Sequence, residues 1–217
     1  MKLQAPYRYL AMLLVLFSTL AAATAEPAQA PDKLVAKVTQ TMLADIASYR
    51  DALASAKGDA QKQALLTEFY DRLAANLRPV VDFNWIALNV MGQYRGQASA
   101  EQRQQFRQVF TRALVETYGR GLLSYSNQEI VVQPLADLSA DQRRVTVVQE
   151  IRGTDKSYPL LYSMGKKKNG EWKVINVIIN GINLGNTFRN QFAQAAAKHN
   201  GDIDRVIASW TVADTET

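Results

Sequence analysis

The chain has 217 residues, 47% of them hydrophobic, with one histidine and no cysteine. Its formal charge of +5 at pH 7 is too mild, and too evenly spread, to indicate a nucleic-acid-binding protein. The lack of cysteine excludes disulfide bonds, thiol chemistry and cysteine-based metal sites.

The first 25 residues are typical of a secretory signal peptide. Basic residues begin the segment, an apolar core runs from Leu10 to Leu20, and Ala23-Thr24-Ala25 supplies the small-x-small cleavage pattern. The apolar core is shorter than the roughly 20 residues that span a bilayer, which disfavours a membrane anchor. We expect cleavage after Ala25, export to the periplasm, and one mature domain over residues 26–217.

Apolar residues at three- and four-residue spacing predict four helices in the first part of the chain. The first covers residues 34–53, and the second ends before Pro79, which cannot continue a helix. Asp82 is placed to cap a short third helix that ends near Gly92. Ser99-Ala100-Glu101-Gln102 is a capping-box pattern that opens the fourth helix, whose basic face is expected to be solvated.

After Tyr125 the apolar period changes to two, which is typical of strands. The predicted strands are Glu129–Leu135, Arg143–Arg152, Tyr158–Gly165 and Glu171–Ile179. Short loops favour antiparallel pairing, and Asn169-Gly170 is a hairpin turn signal. Two further helices follow, the first capped by Asn183. The predicted fold class is therefore α+β: a four-stranded antiparallel sheet packed on one face by several helices.

No catalytic, metal or cofactor site is predicted. His199, the sole histidine, falls at a helix C-terminus, where a helix dipole favours a cation. Motifs for metal or nucleotide binding are missing from the sequence. The predicted dry sheet face carries Val145, Val147, Ile151, Leu160, Tyr162, Met164, Val174 and Ile178, with the neutral Gln149 and Asn176.

An apolar container is favoured over an acid–base site, because a ketosteroid-isomerase-like enzyme needs a carboxylate or histidine in its cavity. A periplasmic isomerase-like enzyme and an adaptor that binds no ligand stay open as alternatives. Lys166-Lys167-Lys168 has two interpretations, a solvated turn that blunts the sheet edge or a contact with anionic head groups or an acidic partner.

Two groups of motifs occur in order over most of residues 32–210. The first comprises Val81-Asp82-Phe83, Val90-Met91-Gly92-Gln93-Tyr94, Ser99-Ala100-Glu101-Gln102-Arg103 and Phe106-x-x-x-Phe110. The second comprises Gly170-Glu171-Trp172-Lys173-Val174, Asn180-Gly181-Ile182-Asn183-Leu184 and Phe188-Arg189-Asn190-Gln191-Phe192. Together they resemble the MlaC, or toluene-tolerance, family. The sequence departs from that family at Asn176, where an acid is common, and at Arg95, where an aromatic is common.

The resemblance implies a soluble, non-enzymatic periplasmic phospholipid carrier that maintains outer-membrane lipid asymmetry. Its implied partners are a diacyl phospholipid, an inner-membrane ABC transporter complex bearing an MCE-domain protein, and an outer-membrane lipoprotein–porin complex. The expected apolar lipid pocket lies between sheet and helices. Its candidate lining residues are Phe83, Val90, Phe106, Phe110, Leu114, Tyr118, Val147, Ile151, Tyr162, Met164, Val174, Ile178, Phe188 and Phe192.

Overall fold

The computed structural model describes residues 29–125, 128–154 and 156–212. The expected signal peptide and its cleavage site lie outside these residues. Among the helices of the described ranges, none combines the length and the hydropathy needed to cross a membrane.

Six α-helices form where the apolar spacing predicts them. They are α1 Pro31–Ser55, α2 Asp59–Leu77, α3 Phe83–Met91, α4 Ala100–Leu122, α5 Leu184–Lys198 and α6 Ile203–Ala208. The Asp82 and Asn183 side chains accept hydrogen bonds from the first turns of α3 and α5, as predicted. Ser99 and Gln102 make both bonds of the predicted capping box. A short 3-10 helix, Gly92–Gly96, follows α3 and was not predicted from the spacing.

The sheet is antiparallel, as predicted, but has five strands rather than four. The strands, which neighbour one another in chain order, are β1 Glu129–Val132, β2 Arg144–Arg152, β3 Ser157–Lys166, β4 Trp172–Ile179 and β5 Ile182–Asn183. Asn180 and Gly181 both have positive φ, 48° and 84°, which is the geometry of a two-residue hairpin turn. This turn folds the short β5 back onto β4. The first strand stops before Pro134, which cannot donate to the ladder.

A register shift in β4 decides which side chains share a face of the sheet. Ser163 lies opposite Asn176, but Met164 lies opposite Val174, so that Ile175 is an extra residue of β4. Such a bulge reverses the alternation of the residues that follow it. Val174 and Val177 therefore share one face, and Ile178 and Asn176 lie on the other. The prediction that Ile178 and Asn176 share the face of Val174 is wrong, because a period-two pattern does not reveal a bulge.

The buried core is divided into three clusters. The helical cluster joins α3, α4, α5, α6 and the residues after α6, and its centre is aromatic: Phe106 meets Phe192 and Trp210 edge-on, with ring centroids 4.9 and 5.0 Å apart. The sheet cluster joins α1 to one face of β2, β3 and β4, here called the first face. The third cluster joins α1, α2 and α4. A domain of this size more often has one contiguous core.

Candidate functional site

Val177 lies where the sheet cluster and the helical cluster meet. It is half-buried and packs against both clusters. Tyr162 lies directly opposite it on β3, and Ile179 continues the first face along β4. These three side chains, here called the apolar seam, are only partly buried although they face the interior of the fold. The sheet therefore presents accessible apolar surface between two packed clusters.

Helical residues also present partly buried apolar surface at the edges of the clusters. Leu114 and Tyr118 lie one turn apart on α4 and pack, partly buried, at the edge of the helical cluster. Val38 on α1 packs in the same way at the edge of the sheet cluster. Because residues four apart share one face of a helix, Leu114 and Tyr118 form a continuous stripe.

The polar groups beside the apolar seam are neutral and bonded to one another. The Tyr162 hydroxyl donates to Oε1 of Gln149 at 3.1 Å, and the Thr39 hydroxyl donates to the same oxygen at 3.3 Å. Burial raises the pKa of Tyr162 from its usual 10.0 to about 12, and the phenol is uncharged at neutral pH. Such a network can satisfy buried polar atoms without placing charge beside an apolar ligand.

The predicted lining residues divide between packed core and accessible surface. Fully packed in the helical cluster are Val90, Phe106, Phe110, Phe188 and Phe192. Packed in the sheet cluster are Val147, Met164 and Val174. Leu114, Tyr118 and Tyr162 lie at the edges of these clusters, where apolar surface is still accessible.

Three predicted lining residues lie apart from both clusters. Ile151 is at the far end of the first face, opposite Tyr158. Ile178 is on the opposite face, for the reason given above, and Phe83 lines a cleft at the start of α3. Sequence reasoning missed Val177 and Ile179, since only the bulge turns them toward the interior.

The part of the chain that the structure describes shows no cluster of metal ligands. Over the described ranges, no set of three or more His, Asp or Glu side chains could hold a metal ion. His199 caps the C-terminus of α5, and its Nε2 lies 3.1 Å from the Ser209 hydroxyl. The expected place of His199 at a helix end is confirmed.

A larger and a smaller cleft open on the surface of the described residues. The larger, of about 570 Å³, lies between α2, the start of α3, α4 and the β3–β4 hairpin, and is here called the basic cleft. The smaller, of about 190 Å³, lies between α3, the sheet and α5, and Val90 contributes to its wall. The face of α4 that carries Arg107 and Arg112, expected to be simply solvated, forms one wall of the basic cleft.

The lysine run at the β3–β4 turn makes contacts within the chain. Lys166 Nζ lies 5.7 Å from the centre of the Trp172 ring. Lys167 Nζ lies 2.6 Å from Oδ2 of Asp82, which ties the turn to the start of α3. Lys166 and Lys167 therefore both contact other side chains of the protein.

The five antiparallel strands and their helices place the chain in the α+β class, as predicted. The family model described as MlaC protein matches residues 47–212. Toluene tolerance protein ttg2D of Pseudomonas putida is 37% identical over 205 residues, covering 94% of this chain and 88% of that protein. The intermembrane phospholipid transport system binding protein MlaC of Haemophilus influenzae is 31% identical over 111 residues, covering 50% of this chain and 52% of that protein.

A solved structure agrees in fold. The phospholipid-binding protein from Ralstonia solanacearum, in complex with a phospholipid, has a TM-score of 0.67 and 27% identity, covering 83% of this chain and 94% of that one. The chain belongs to the MlaC family.

Proposed function

We propose that this protein is a phospholipid carrier that holds acyl chains between the first face of the sheet and the helices. The observation that carries the proposal is the division of the core, which leaves the apolar seam of Tyr162, Val177 and Ile179 accessible between packed clusters. The Ralstonia solanacearum protein of similar fold is described with a bound phospholipid, which supports the same ligand class here.

The energetics of acyl chains explain why a carrier must enclose them. Burying one CH₂ group is worth about 0.8 kcal/mol, so two tails of roughly 30 such groups gain on the order of 20 kcal/mol. An accessible apolar surface inside the domain can supply this burial. The Tyr162–Gln149 network at the apolar seam is neutral, so its polar atoms place no charge beside the tails.

The family and the predicted export signal support a proposed location and proposed partners. We place the protein in the periplasm, because the sequence begins like a secretory signal peptide and a relative is named for an intermembrane phospholipid transport system. The proposed partners are an inner-membrane ABC transporter complex with an MCE-domain protein and an outer-membrane lipoprotein–porin complex. The proposed role is transfer of lipid without a chemical step, in place of the isomerase-like enzyme and the ligand-free adaptor.

Loading from vesicles tests the carrier role. Mature protein freed of lipid is incubated with phospholipid vesicles, separated from them by gel filtration, and extracted. We expect phospholipid to elute with the protein and to raise its melting temperature, since a ligand that binds only the folded state stabilises it. A protein that stays free of lipid, with an unchanged melting temperature, would contradict carriage.

Transfer kinetics test the partners. Loaded protein should pass lipid slowly to bare vesicles, because escape of the tails through water is costly. Vesicles that contain the inner-membrane MCE-domain complex should accept it at least tenfold faster, a barrier change of about 1.4 kcal/mol. Equal rates to both kinds of vesicle would show that this complex is not the acceptor.

A further inference from the structure

The basic cleft gathers cationic side chains from three separate parts of the fold. Arg78 directly follows α2, Arg107 and Arg112 lie on α4, and Lys167 and Lys173 belong to the β3–β4 hairpin. The carboxylates in its wall are Asp71 and Asp82. Cationic groups therefore outnumber carboxylates in the wall, and a small excess of positive charge remains when Glu116 and Glu171, which pair with Arg112 and Lys173 from outside the wall, are included.

Both carboxylates of the cleft wall already have partners within the chain. Asp71 accepts from Arg112 Nη1 at 2.7 Å, and Asp82 pairs with Lys167 while its other oxygen caps α3. Lys173 contacts the Pro79 carbonyl and pairs with Glu171 at 3.3 Å. Three of the five cations are thus occupied by partners within the chain.

Arg78 and Arg107 are the two cations left over. Within the described ranges, neither guanidinium has an ion pair or a side-chain hydrogen bond, and both line the same cleft. A guanidinium presents paired N–H donors that match two oxygens of a phosphate group. Asn84, Gln108 and Thr111 add neutral hydrogen-bonding groups to the wall.

The size and lining of the cleft suit a small anionic group. Its volume of about 570 Å³ is within the usual range of small-ligand sites. Phe83 and Val81 give it an apolar patch beside the cations, and the N-terminus of α3 adds the positive end of a helix dipole. The cations and the helix dipole favour a phosphate over an uncharged ligand.

We propose that the basic cleft binds a phosphate group through Arg78 and Arg107. Such a phosphate group occurs both in the phosphodiester of a phospholipid head group and as free phosphate. This goes beyond acyl-chain carriage, because holding the tails at the apolar seam does not require a phosphate site.

Titration calorimetry on the mature protein at low ionic strength tests the site. The probes are inorganic phosphate and glycerophosphoglycerol, a head group without tails, with glycerol as the uncharged control. We expect the double variant Arg78→Gln/Arg107→Gln to lose at least tenfold in affinity for a phosphate probe, about 1.4 kcal/mol. The matched control Arg95→Gln, an exposed arginine outside the cleft, should keep its affinity.

The two probes distinguish the source of the phosphate. Competitive binding of both supports a head-group site, and binding of inorganic phosphate alone supports a site for free phosphate. Three results would overturn the proposal. In the first, neither probe binds the unmodified protein at millimolar concentration. In the second, glycerol binds as strongly as the phosphate probes, and in the third the double variant binds with unchanged affinity. Vesicle loading is measured on the same variants. A loss of phosphate binding can then be distinguished from a loss of acyl-chain carriage.

Discussion

The Tyr162 hydroxyl donates a hydrogen bond of 3.1 Å to Oε1 of Gln149, across the first face of the sheet. Gln149 is 4% exposed and is one of the few polar side chains in the described core. Thr39 donates to the same oxygen from α1, so that the bond joins two strands and a helix at the edge of the apolar seam. Substitutions in this region should therefore affect both the stability of the fold and lipid binding.

Replacing Tyr162 with Phe should lower the free energy of unfolding by about 1 kcal/mol, because the hydrogen bond to Gln149 is lost while the ring is kept. The matched control is Tyr158→Phe on the same strand, since the Tyr158 side chain is 46% exposed. Urea unfolding of both variants measures the difference. Equal stabilities for the two variants would show that the Tyr162–Gln149 bond contributes nothing.

The same tyrosine predicts a loss of stability in alkali. Burial raises the pKa of Tyr162 from its usual 10.0 to about 12, so that its stabilising contribution is present below pH 10 and is lost as the pH rises toward 12. Over that interval the loss is about 1.4 kcal/mol per pH unit. The difference between the unfolding free energy of the unmodified protein and that of Tyr162→Phe should fall between about pH 10 and about pH 12. A difference that does not change with pH would contradict the burial of this phenol.

Filling the apolar seam should block lipid loading. A Trp at Val177 would occupy accessible space on the first face, whereas a Trp at Ile178 would project from the opposite face. We expect Val177→Trp to load several-fold less phospholipid than the unmodified protein in the vesicle assay. Ile178→Trp should load normally.

Melting curves accompany both variants, and Ile179→Trp provides a second variant of the seam if Val177→Trp does not fold. Normal loading of a folded seam variant would exclude the seam as the site of the tails. Reduced loading by Ile178→Trp, with the seam variants unaffected, would place the tails on the other face of the sheet.

Two glycines of α4 should respond to alanine in opposite directions. A Cβ at Gly119 would lie 3.1 Å from side-chain atoms of both Leu73 and Tyr70, whereas a Cβ at Gly121 would meet no atom within 4 Å. Overpacking costs about 1–3 kcal/mol, and alanine in a helix gains at most about 1 kcal/mol over glycine.

Thermal or urea unfolding should therefore show Gly119→Ala destabilised and Gly121→Ala unchanged or more stable. A Gly119→Ala variant as stable as Gly121→Ala would mean that α2 and α4 do not approach as closely as described.

The helices were predictable because their signals are local. Ser99 and Gln102 lie three residues apart, and each bond of their capping box forms within one helical turn. The Asn180-Gly181 turn carries an equally local signal, yet a two-residue strand after it is too short for a periodic pattern. The bulge at Ile175 leaves no such pattern, because it depends on how β3 and β4 pair.

The site was less predictable than the fold, because it depends on contacts between distant segments. Apolar spacing places Phe106 and Tyr118 on the same stripe of α4, but only the packed structure shows that Phe106 is core and Tyr118 is partly accessible. Likewise, Arg78 follows α2 and Arg107 lies on α4, and their shared cleft depends on the packing of α2 against α4. A charge pattern along one helix cannot show this.

The most direct test of the carrier role is the native mass spectrum of the mature protein, purified gently with no lipid added. The account predicts a species heavier than the polypeptide by the mass of a phospholipid, together with phospholipid in an organic extract of the same sample. The added mass should be absent, or much weaker, in Val177→Trp and present in Ile178→Trp. A spectrum that contains the bare polypeptide alone, from protein that also fails to take up phospholipid from vesicles, would contradict the account.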